Sequence, residues 1–267
     1  MTLHLQTVEA RKGLLWIRHG LKVYRRRPLI LTALYASIAV VALLLSQLPA
    51  PLTWVAPMLL PLLSLGFMLA THAVLQGQIP TVTVYLAPFR LTAARSKAQL
   101  LLCVSYGALL TLALLFAQGI AADAAQHVST VMNQTPQDEA AILAAVTDPR
   151  LIQGQLLTLL SVAVLAVPFW HAPALVHWAG QGLAQALFSS TLAVWRNRGA
   201  FALYVLGWLG IGFILGLIAL LLGAVFGGEV AQVLVAFACM LVNVALYSSL
   251  YFSFVDCFMF SPEEIKV

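Results

Sequence analysis

The sequence predicts an all-α polytopic membrane protein: six transmembrane helices in two parallel span/interfacial-helix/span repeats, behind an N-terminal amphipathic helix. Three observations predict it. Apolar residues make up 62% of the 267-residue chain and charged residues only 9%, against about a quarter charged in a soluble domain. Six apolar runs are each close to or beyond the ~20 residues that cross hydrocarbon at 1.5 Å per residue. Nearly all Lys and Arg residues lie on one side of those runs.

From Thr7 to Arg27, Leu14, Leu15, Ile17, Leu21 and Tyr24 are interleaved with Arg11, Lys12, Arg18, Lys22 and the run Arg25-Arg26-Arg27. That pattern predicts a basic amphipathic helix within residues 1–28, cytoplasmic and lying on an anionic leaflet. The membrane domain occupies 29–254. Its first span, about 29–48, is closed by Pro49 and Pro51, which cannot continue a helix. A signal peptide would need a shorter apolar stretch, about 7 to 15 residues, so this run is read as a span.

The second span, about 53–75, carries Pro57 and Pro61 and should kink there. Between Gln76 and Lys97, Pro80 and Pro88 divide the loop, Tyr85 and Phe89 suit the headgroup level, and Arg90, Arg95 and Lys97 put it on the amino-terminal side. The third span follows at about 98–120. Residues 121–148 hold Asp123, Asp138 and Glu139 but no Lys or Arg, which marks an outer loop. Within it, Thr135-Pro136-Gln137-Asp138 reads as a helix start running to about Val146.

The fourth span, about 149–178, should kink at Pro168 and Pro173. Ala184, Phe188, Leu192 and Trp195 then recur at helical spacing beside Gln181, Gln185, Ser189 and Arg196, predicting an interfacial helix. The fifth span, about 200–226, turns at Gly227-Gly228-Glu229 into the sixth, about 230–254. A tail at 255–267 closes the chain.

Charge sets the orientation. Seven Lys or Arg precede the first span, three precede the third, two precede the fifth and one, Lys266, is in the tail, while Arg150 alone falls opposite. The positive-inside rule then puts both termini in the cytoplasm of a bacterial inner membrane. A shift of 103 residues places Gly77-Gln78 on Gly180-Gln181, Arg95 on Arg198, Leu100 on Leu203 and Gly107 on Gly210, the basis of the two repeats.

Candidate chemistry is sparse. His72, His171 and His177 sit toward the basic ends of the second and fourth spans without a second ligand at motif spacing, so they are read as packed or interfacial histidines rather than haem or metal ligands. Cys103, Cys239 and Cys257 show no CxxC spacing and read as small apolar packers. No span core carries Asp or Glu, which argues against ion-coupled transport. Asn243 lies deepest, one turn from Tyr247, and suggests an interhelical hydrogen bond. Gly212, Gly216, Ala219, Gly223 and Gly227 fall on a strip of about 80° at 100° per residue, a face for close helix packing, within one chain rather than across a dimer. No phosphate-binding loop, HExxH or GxSxG motif occurs, so no catalytic residue, metal or cofactor is assigned.

The segments VYLAPFR (Val84–Arg90), FWHAPALV (Phe169–Val176) and ALFSSTLAVWRNRGAF (Ala186–Phe201) resemble an uncharacterised family of six-helix inner-membrane proteins from betaproteobacteria. That family is similar in layout to the membrane domain sometimes fused to glycerophosphoryl diester phosphodiesterases. The resemblance implies a membrane domain and brings no activity with it; the phosphodiesterase catalytic domain has no counterpart.

The functional expectation is a non-enzymatic inner-membrane protein, an accessory, scaffold or assembly component of a membrane complex. Its contacts would be anionic lipid headgroups or other membrane-protein subunits, through Arg25, Arg26, Arg27, Arg90, Arg95, Lys97, Arg196 and Arg198. Nucleic acid is not a partner, since the basic segment abuts a span. A transporter or lipid-handling protein is the alternative, because kinked spans in matching repeat positions can open alternately.

Overall fold

The computed structural model describes residues 3–49, 52–134 and 138–260. Among these residues six helical stretches are long and apolar enough to span a membrane: Pro28–Ser46, Leu52–Leu75, Ala93–Met132, Pro149–Ala179, Arg198–Phe226 and Gly228–Cys257. The protein is thus an all-α polytopic membrane protein, with the spans where the apolar runs put them. In chain order the helices are α1 (Lys12–Arg26), α2 (Pro28–Ser46), α3 (Leu60–Leu75), α4 (Ala93–Met132), α5 (Glu139–Val146), α6 (Pro149–Phe169), α7 (Ala172–Ala179), α8 (Leu183–Arg196), α9 (Arg198–Phe226) and α10 (Gly228–Cys257). A short antiparallel pair, β1 (Leu3–Leu5) with β2 (Phe258–Phe260), ties the two ends of the described chain.

Local chemistry explains most boundaries. Pro28 opens α2 at a position where its missing N–H costs nothing. Asp138 accepts the Ala140 N–H at 3.0 Å to start α5, and Asp148 accepts the Arg150 N–H at 2.7 Å to start α6. The start expected over Thr135-Pro136-Gln137 lies outside the described residues, as do Pro51 and residues 261–267 with Lys266, whereas residues 255–260, expected as tail, complete α10 and form β2. Residues 121–132, expected as loop, continue α4. The alanine-rich sequence there has enough helix propensity to run on past the span. Pro57 lies in a 3₁₀ stretch, Leu52–Leu59, that leads into α3, so the second span tightens its winding where a kinked α-helix was expected. The fourth span breaks between α6 and α7, with Pro168 and Pro173 on either side.

The two proposed repeats share one backbone feature and differ in another. Gly77 ends the helix of the second span at φ +77°, and Gly180 ends the fourth at φ +67°, the left-handed conformation that favours glycine. The surface segments differ: two 3₁₀ turns, Val82–Tyr85 and Ala87–Arg90, in the first copy, and α8 in the second.

Burial is concentrated at one end. On α9 it stops at Trp208, and Phe213, Leu220 and Val225 are all more than two-thirds exposed. On α10 it is concentrated from Val244 to Cys257. A helix of 30 residues measures about 45 Å, some 15 Å more than the hydrocarbon layer. Each of these helices is therefore longer than the layer it would cross, with one apolar half exposed and the other half packed.

Two packing expectations are corrected. A Cβ at Gly212, Gly216 or Gly227 would meet nothing within 4 Å, and one at Gly223 would meet Ala231 Cβ at 3.9 Å. The strip has no partner among the described residues apart from that hairpin contact, because α9 leaves the packed end beyond Trp208. Asn243 donates from Nδ2 to the Cys239 carbonyl of its own helix at 2.9 Å. It bonds back along α10, and among the described residues it makes no interhelical link.

Candidate functional site

The packed end is built around α1. Gly13, Trp16, Ile17, Gly20 and Val23 form its buried face. That face was expected against lipid; it is instead wedged between α9 and α10. The glycines make this possible: a Cβ at Gly13 would overlap the Ala200 carbonyl oxygen, and one at Gly20 would lie 2.5 Å from Ser249 Cβ and 2.8 Å from the Ala245 oxygen. Trp16 is fully buried, with ring centroids 5.2 Å from Phe201 and 5.9 Å from Tyr204. Its indole N–H donates to Asp256 Oδ2 at 2.8 Å, and Lys12 Nζ lies 3.5 Å from the same oxygen.

Asn197 fixes the segment between β1 and α1. Its Oδ1 accepts the Val8 N–H at 2.7 Å, and its Nδ2 donates to the Gln6 and Ala193 carbonyls, each at 3.0 Å. One amide thus joins the first residues of the chain to the junction of α8 and α9.

A serine–histidine contact sits beside this hub. His171 Nε2 lies 3.1 Å from Ser253 Oγ, which donates to the Leu250 carbonyl at 2.8 Å and accepts the Trp170 indole N–H at 3.3 Å. Since the single hydroxyl proton serves Leu250, His171 donates from Nε2 and its Nδ1 carries a lone pair with no partner among the described residues. A nucleophile–base pair needs the reverse polarity and room for a substrate. Here Phe201, Phe254 and Phe258 enclose the ring. The arrangement is a bracket holding the break between α6 and α7.

The other two candidate histidines differ. His72 bonds Tyr251 Oη at 2.9 Å and Gln76 at 3.0 Å, while His177 packs edge-on against Trp178. Among the described residues no cluster of three or more His, Cys, Asp or Glu could hold a metal ion.

The eight basic residues singled out from sequence gather at this same end, in two states. Arg25, Arg26, Arg27, Arg90, Lys97, Arg196 and Arg198 are exposed. Arg196 touches Thr7 Oγ1 at 3.3 Å, and Arg198 lies over the Trp195 ring at 5.8 Å. Arg95 is different: its Nη1 donates to the His177 carbonyl at 3.3 Å, a cation at the C-terminus of α7. Gly180 leaves room for that guanidinium, which would lie within about 3 Å of any Cβ there. Opposite, Arg150 and Asp123 pair at 3.7 Å between α6 and α4.

Tyr85, expected among headgroups, is buried. Its hydroxyl donates to the Leu34 carbonyl of α2 at 2.9 Å and its ring lies on Gly66 of α3. Burial raises the phenol above its ordinary pKa. Trp16, Asn197, Ser253 and Asp256 were not singled out from sequence. A buried hydrogen-bonding role for an Asn between two arginines or a Trp in a basic helix has no local signature, since both types also suit an interface.

Between α3, α4, α6 and α10 a cavity of about 240 Å³ is lined by Pro61, Ser64, Tyr106, Phe169, Trp170, Tyr247 and aliphatic side chains. Mostly apolar walls with a few hydroxyls suit a hydrocarbon tail better than a hydrated solute.

Among curated proteins, a probable inner membrane protein of Burkholderia thailandensis is similar to the chain, 28% identical over 258 residues that cover 96% of this chain and 94% of the relative. No family model matches the chain. No solved structure matches it. The six apolar helices and this end-to-end similarity identify an integral membrane protein.

Proposed function

We propose that the protein is a non-enzymatic accessory or scaffold component of a bacterial inner membrane, with both termini cytoplasmic, and that it works through its basic end. One observation carries this. Among the described residues ten exposed Arg and Lys side chains surround a tightly packed end, whereas the spans offer the deepest amide, Asn243, only to their own backbone. A polar solute crossing the membrane needs replacement partners at mid-depth; here the exposed cations lie around the packed end. The resemblance in layout to membrane domains attached to glycerophosphoryl diester phosphodiesterases fits the same role, a membrane platform rather than a catalyst.

The test replaces Arg196 and Arg198 by Gln together. Both are exposed and their contacts within the chain are peripheral, so the fold should persist. At roughly 1 kcal/mol per basic residue near an anionic surface, binding to anionic liposomes should fall about tenfold or more, and crosslinked partners should diminish. Unchanged binding and recovery, with solute flux by the purified protein in vesicles, would reverse the proposal. A lipid-handling role is the second reading, favoured by the apolar cavity beside Tyr106 and Tyr247.

A further inference from the structure

We propose that the groove between α1 and α9 is a binding site for one anionic phospholipid, its phosphate held by Arg18, Lys22 and Arg25 and its acyl chains laid along α9. The site rests on the basic-end reading above and narrows it to a defined ligand class.

The groove encloses about 760 Å³, and its walls are polar and apolar in turn. Arg18, Lys22 and Arg25 fall at i, i+4 and i+7, one face of a helix. All three are exposed, and among the described residues none lies within ion-pair distance of a carboxylate. The nearby acids are already engaged: Glu9 pairs with Arg11, and Asp256 serves Trp16 and Lys12. Three uncompensated cations on one wall make an anion the complementary guest.

The floor is apolar. Leu14, Ile17 and Leu21 from α1 meet Gly207 and Ile211 of α9, and Ile17 enters the space that a Cβ at Gly207 would fill, 2.5 Å away. From Ile211 the same face of α9 continues through Ile214, Ile218 and Leu221, each at least 43% exposed. A ligand seated here therefore needs a negative head and a long hydrocarbon part lying in register with the span, which describes a phospholipid rather than free phosphate or a soluble anion. The depth agrees: Ile211 lies where burial on α9 ends and the lipid-exposed stretch begins.

Three cations near the headgroup level correspond to a preference of roughly 100-fold for an anionic over a zwitterionic lipid. The experiment uses the full chain in mild detergent, with phosphatidylglycerol or phosphatidylcholine added in parallel, and reads retained lipid by native mass spectrometry. The parent protein should keep one phosphatidylglycerol against competing phosphatidylcholine. Replacing Arg18 and Lys22 by Gln, which leaves Arg25-Arg26-Arg27 to orient the chain, should reduce that preference at least tenfold with an unchanged melting temperature. Arg196→Gln with Arg198→Gln should leave it intact. Equal retention of both lipids by the parent, or an unaltered preference in the Arg18/Lys22 variant, overturns the site. Either result can occur while partner crosslinking at Arg196 and Arg198 stands, so the site and the wider reading fail separately.

Discussion

Trp16→Ala is expected to lower the apparent melting temperature in detergent by on the order of 10 °C, the largest effect of any single side-chain truncation at the packed end. Truncating a buried Trp costs about 3–5 kcal/mol, and a protein of this length shifts by about 2–4 °C per kcal/mol. The residue is fully buried, packs its ring against Phe201 and Tyr204 and donates to Asp256. Its loss leaves a cavity between α1, α9 and α10 and an Asp256 carboxylate one donor short. Asp256→Asn retains an acceptor for the indole and gives up the Lys12 contact, so it should cost closer to 1 kcal/mol. If Trp16→Ala melts with the parent protein, α1 is not docked as described.

Gly20→Ala tests the same docking through the sign of its effect. In an exposed helix the change stabilises by about 1 kcal/mol, because alanine is the better helix former. At this position the new methyl would lie 2.5 Å from Ser249 Cβ and 2.8 Å from the Ala245 oxygen and Ser249 Cα. Two of those atoms are backbone, so α1 must shift away from α10, and overpacking of this kind costs about 1–3 kcal/mol. The expected result is a lower melting temperature with helix content retained. A rise would mean that Gly20 faces lipid or solvent.

The spans were legible in the sequence because a hydrocarbon layer demands an uncharged apolar run of about 20 residues from each helix that crosses it, a length that soluble cores do not require. Gly77 and Gly180, aligned by the sequence shift, share a left-handed backbone because both end an apolar helix, while the interfacial helix expected between the second and third spans is replaced by two 3₁₀ turns. Which apolar faces meet protein and which meet lipid was not legible. Leu14 and Trp16 are two residues apart in one basic amphipathic helix; Leu14 is half exposed and Trp16 wholly buried. An apolar side chain suits a bilayer and a neighbouring helix equally, so α1 read as a leaflet-bound helix. The glycine strip failed for the same reason: spacing shows that a face is small, and only the fold shows whether anything approaches it. Asn197 was hidden between Arg196 and Arg198, whose charges drew the functional reading outward while the amide turned inward to Gln6 and Val8.

The basic end as working surface is tested most directly by placing a photo-crosslinking amino acid, one position at a time, in cells. Arg90 and Lys97 report the basic end; Phe213 and Leu220, exposed on α9, report the lipid-facing half. The account predicts protein or anionic-lipid adducts from Arg90 and Lys97, with only bulk lipid labelled from Phe213 and Leu220. A discrete protein partner or solute captured from Phe213 or Leu220, with nothing captured at the basic positions, would contradict it.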